Sequence, residues 1–92
     1  MTKIYVAEWI SKTGKDIPFD IFECAGFTSD EVISAARNAY NTISQQRKKE
    51  LCIRVLRYDY AGAPYPVASH FDASKIMFGS GGDFVAEFGG DD

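Results

Sequence analysis

Apolar residues occupy both sides of the strands that this chain predicts. In the run Lys3 to Ser11, alternation places Ile4, Val6 and Ile10 on one side and Tyr5, Ala7 and Trp9 on the other. A polar turn, Lys12-Thr13-Gly14-Lys15-Asp16, separates this run from Ile17 to Ala25, where Phe19 and Ile21 oppose Phe22 and Cys24. Pro18 cannot donate a ladder hydrogen bond, so the second strand starts late or lies at the sheet edge. The two runs together read as a hairpin.

The periodicity then changes. Thr28-Ser29-Asp30-Glu31 fits a capping box, with Thr28 as N-cap and Glu31 reaching back, and Phe27 and Val32 have the spacing of a hydrophobic staple. The pattern predicts a helix from about Ser29 to Lys48. Val32, Ala35, Ala36, Ala39, Tyr40 and Ile43 form its apolar stripe. Asp30 and Glu31 at the start, and Arg47, Lys48 and Lys49 at the end, complement the helix dipole.

Leu51 to Tyr60 is the third predicted strand, with Leu51, Ile53 and Val55 on one face and Cys52, Arg54, Leu56, Tyr58 and Tyr60 on the other. After the turn Ala61-Gly62-Ala63-Pro64, Tyr65 to Asp72 reads as a fourth strand and Lys75 to Phe78 as a short extra piece. Residues 1–78 therefore make one α+β domain of ββαββ(β) order. Its antiparallel sheet has the order 2-1-3-4, with the helix across one face. Residues 79–92 read as a Gly-rich, acidic, flexible tail.

In this arrangement Ile4, Val6, Ile10, Phe19, Ile21, Ile53 and Val55 meet the helix stripe. Glu8 and Arg57 fall on the same face and mark its ends or a bulge. Tyr5, Trp9, Phe22, Arg54, Leu56 and Tyr58, with His70, are left on the far side. Trp, Tyr and Arg are the residue types enriched at binding hot spots, so this set reads as a contact surface. Closure by the last strands, or a homodimer, would also account for it.

Composition narrows the function classes. In a chain of 92 residues, a hydrophobic content of 46% argues against disorder. A net charge of −3 disfavours a generic grip on nucleic-acid backbone. All ten Lys and Arg lie in residues 1–82, while Asp83, Glu87, Asp91 and Asp92 have no basic neighbour after them. Arg37, Arg47, Lys48, Lys49, Arg54 and Arg57 make the region of the helix end locally basic. The opening run Met1–Val6 predicts neither a secretion leader nor a membrane span, which suits a cytoplasmic protein.

Groups for catalysis are scarce. His70 has Ser69 and Asp72 near it in sequence, but neighbouring strand residues point to opposite faces. Cys24 and Cys52 sit within apolar strand patterns and read as buried free thiols, though paired strands could bring them face to face. Gly79-Ser80-Gly81-Gly82 lacks the Lys-Ser/Thr that completes a phosphate-binding loop. The expectation is a protein that is not an enzyme, with no metal and no cofactor.

The layout resembles the small phage-encoded anti-CRISPR proteins. Lys3-Ile4-Tyr5-Val6-Ala7-Glu8, the capped Thr28–Lys49 helix and Leu51-Cys52-Ile53-Arg54-Val55-Leu56-Arg57 carry the similarity, which is one of architecture and composition. It implies an inhibitor that binds a host complex handling nucleic acid, such as a Cas effector, within a bacterial cytoplasm. Tyr5, Trp9, Arg54 and Tyr58 are the expected anchors. Asp83, Glu87, Asp91 and Asp92 are the expected charge mimics, with Phe84, Val85 and Phe88 beside them as further anchors. The hairpin-then-helix unit is also similar to HicB-like antitoxins, although no DNA-binding segment follows Leu51–Tyr60. The remaining alternative is a single-stranded nucleic-acid binder that stacks bases on the same aromatic face.

Overall fold

In the computed structural model, which describes residues 2–14, 22–63 and 71–90, the first strand β1 (Thr2–Ser11) lies at the centre of a sheet. On one side it pairs with β2 (Phe22–Gly26) and on the other with β3 (Leu51–Tyr60). A fourth strand, β4 (Asp83–Phe88), pairs with β3. All pairings are antiparallel and the order is β2-β1-β3-β4. Two helices, α1 (Ser29–Thr42) and α2 (Gln45–Glu50), connect β2 to β3. The class is therefore α+β with the strand order that the sequence predicts.

The fourth strand is not the expected one. Tyr65–Pro66 through His70 lie outside the described residues, and Phe71 and Asp72 form no strand. The edge strand comes from the stretch read as a flexible tail: Val85, Ala86 and Phe88 pack against the core beneath α1 and dock Asp83–Phe88 on β3 despite its flanking glycines. Asp91 and Asp92 lie outside the described residues, as do Phe19, Ile21 and Pro18.

The predicted helix divides in two. Ile43 and Ser44 are extended, and the Ser44 hydroxyl accepts the Arg47 N–H at 3.2 Å, so Ser44 caps a new short helix. At the other end Thr28 is the N-cap residue, but its side chain makes no capping bond. The expected staple is also absent. Phe27 packs edge-on against Tyr60 at 5.1 Å on the far side of the sheet, while Val32 enters the core beneath α1.

The side assignment changes with the register. Ala7 stands opposite Val55 and Trp9 opposite Ile53, so residues of like parity share a face. Ile53 and Val55 do face α1, but their companions are Tyr5, Ala7, Trp9 and Cys24, packed with Val32 and Ala36. Ile4 and Val6 lie on the opposite side with Tyr58, Tyr60, Ala25 and Ile76. A one-residue change in pairing exchanges every side chain between faces, and β1 is apolar on both sides, so its pattern does not choose between them. Glu8 correspondingly lies away from the helix and Arg57 on the helix side at the β4 edge.

Both edge strands carry one extra residue. The β1–β2 register shifts at Glu23, and the β3–β4 register shifts at Val85. By simple alternation Phe22 would join Cys24, and Phe84 would join Ala86, on the helix side. The shifts instead place Phe22 opposite Glu8 and Phe84 opposite Leu56, on the side away from α1.

Candidate binding face

The side away from the helix is covered in part by the chain between β3 and β4. Ile76 bridges to Tyr60, and the Tyr60 hydroxyl accepts the Asp72 N–H at 2.9 Å. Phe71 packs on Phe22 at 5.6 Å. Two 3-10 turns, Ala73–Lys75 and Phe78–Ser80, lead into β4. The Asp72 carboxylate accepts from both the backbone N–H and the hydroxyl of Ser74, which holds its acidity stronger than usual and fixes the first turn.

Tyr58 is the pivot of this face. Its ring is 7% exposed, and its hydroxyl donates to Glu8 Oε2 at 2.8 Å across the β1–β3 pairing. Phe78 meets the ring edge-on at 4.9 Å. Gly82 lies against the same ring, so close that a Cβ there would come within 2.9 Å of it. The stretch Gly79-Ser80-Gly81-Gly82 therefore serves close packing, with Gly81 at φ 79° turning the chain into β4. Burial, reinforced by the Glu8 hydrogen bond and charge, pushes the Tyr58 phenol up to about 12.

Glu8, Phe22, Tyr58 and Phe78 line a cavity of about 440 Å³. Next to it Met77, Phe78 and Phe84 are the large apolar side chains left in water among the described residues, with Phe84 64% exposed. Phe84 sits opposite Leu56, two residues along the strand from Tyr58, and so lies on the same side of the sheet as Tyr58.

The expected anchors do not form one surface. Trp9 is only 4% exposed, beneath α1, and its indole N–H donates to Glu23 Oε1 at 2.8 Å. Tyr5 is half-buried on that helix side. Arg54 and Tyr58 do lie on the opposite side, with Phe22 and Leu56. Arg54 Nε donates to Glu87 Oε1 at 2.8 Å, and Arg57 Nη2 donates to Asp83 Oδ2 at 3.0 Å. Two of the acids expected to meet a partner thus neutralise arginines of their own sheet. Met77 and Phe78 were missed as site residues; their one sequence signal is an aromatic immediately before a glycine-rich turn.

The remaining chemistry is sparse. Cys24 and Cys52 are free thiols on opposite faces, so they do not meet. Burial pushes both thiols up, the reverse of what a nucleophile requires. His70 lies outside the described residues. No group of three metal-ligating side chains occurs among the described residues. No helix there is long and apolar enough to cross a membrane.

A second, basic groove of about 580 Å³ lies between Lys12, Tyr40, Lys48, Lys49 and Gly89. Lys12 Nζ donates to the Lys48 carbonyl at 3.1 Å, and Lys48 Nζ sits 5.3 Å from the centre of the Tyr40 ring. No protein family, characterised protein or solved structure matches the chain.

Proposed function

We propose that this chain is a non-enzymatic protein-binding inhibitor that docks through the sheet face away from α1 and occupies the working surface of a nucleic-acid-handling complex. A Cas effector is the form of partner that the anti-CRISPR layout implies. The observation that carries the binding reading is the exposure of Met77, Phe78 and Phe84, on the segment leading into β4 and on β4 itself. Phe78 lines a cavity and Phe84 lies on an edge strand, an arrangement suited to a partner that adds a strand or inserts a side chain.

The same face suits a protein better than a nucleic acid. Its arginine, Arg54, is engaged by Glu87, so no strong positive charge accompanies the exposed rings. The test is capture from a host lysate with the wild-type chain and with Phe84→Asp, a change at an exposed position. One stoichiometric partner should be retained by the wild type and lost by the variant. Oligonucleotide binding by the purified protein with a steep salt slope would instead favour the nucleic-acid reading and sink this one.

A further inference from the structure

The geometry points to the Glu8–Phe22–Tyr58–Phe78 cavity as a receptor for one organic cation, an arginine side chain projected by the partner protein. Three aromatic rings and the Glu8 side chain line it with mostly apolar surface, and the cavity is of small-ligand size. Aromatic faces attract cations through their ring quadrupoles, and a guanidinium is more weakly hydrated than an ammonium, so it enters such a box at lower desolvation cost. The carboxylate supplies a directed counter-charge. Glu8 Oε2 is held by the Tyr58 hydroxyl, and Glu8 Oε1 has no partner among the described residues.

The neighbouring charges leave this role to Glu8. Arg54, opposite Glu8 on the same face, is already bonded to Glu87. Phe78 is 44% exposed and forms an accessible wall, whereas Tyr58 is fixed between Phe78 and Gly82. A surface evolved to grip nucleic acid presents arginines, so the cavity complements the partner class proposed above, and the inference rests on that reading.

The experiment is titration of the isotope-labelled full chain with N-acetyl-arginine amide, followed at the amide resonances of Glu8, Tyr58 and Phe78. The neutral control is the citrulline analogue, which keeps the shape and loses the charge. Saturable shifts at these residues are expected, with citrulline about tenfold weaker. Glu8→Gln should weaken binding by about tenfold. This change retains an acceptor for the Tyr58 hydroxyl, so the fold is kept. Phe78→Ala, at an exposed ring, should do the same.

Equal binding of citrulline, tighter binding of the lysine amide, unchanged affinity in both variants, or no shifts at these residues would overturn the assignment. Phe84 lies outside the cavity. Partner capture that depends on Phe84 without arginine binding would remove the cation receptor alone. Arginine binding with capture indifferent to Phe84→Asp would remove the docking reading instead.

Discussion

Tyr58 donates its phenolic proton to Glu8 across the central strand pair, at 2.8 Å and within a largely apolar setting. Burial, with the Glu8 hydrogen bond and charge added to it, favours the protonated phenol and raises its value from 10.0 to about 12. In the unfolded chain the phenol ionises first, so the folded state holds the extra proton between these values. The stabilisation is present below about pH 10 and disappears as pH climbs toward 12. Urea unfolding at rising alkaline pH should show the wild type losing about 2 kcal/mol more than Tyr58→Phe over this window. Parallel curves would show that Tyr58 ionisation has no such linkage.

Trp9 should behave as a core residue. Trp9→Ala is expected to cost about 3–5 kcal/mol in chemical denaturation, because it empties the space beneath α1. Phe84→Ala, at a position 64% exposed, should change stability by less than about 0.5 kcal/mol. A Trp9 variant of native stability would reverse the assignment of the two faces.

Gly82 has no room for a side chain. Gly82→Ala would set a Cβ 2.9 Å from the Tyr58 ring and 3.0 Å from the Leu56 Cβ. The expected cost is about 1–3 kcal/mol from overpacking, read as a lower denaturation midpoint. Restored stability in a Gly82→Ala/Tyr58→Leu double variant would identify the ring as the obstacle.

The thiols should report on opening of the fold. Cys52 is buried and Cys24 half-buried, and burial holds both in the protonated form. Alkylation near neutral pH is expected to modify Cys24 slowly and Cys52 only at the rate of unfolding. Rapid native-state labelling of Cys52 would contradict its placement.

The strand order was legible because its signals are local. Two apolar runs around a polar turn, a helix with a small-residue stripe, and a dense third strand leave few ways to close a sheet. The facing was hidden because Ile4 and Val6 are as apolar as Ala7 and Trp9. Only the long-range pairing of Ala7 with Val55 decides which set meets α1. The helix break is written in Thr42-Ile43-Ser44, two cap-prone residues around a β-branched one, but the heptad-like stripe masks it. β4 was obscured for a different reason: its apolar residues alternate imperfectly because Val85 is extra, and glycines flank it.

That extra residue has a counterpart at Glu23 on the opposite edge. Each adds one phenylalanine to the outward face while the buried face keeps its own alternation on the far side of the shift. The outward surface can therefore be rewritten by gaining or losing a single residue at an edge, with no substitution in the core. Variation in length at these two edge positions would change which side chains the outward face presents while the scaffold stands still.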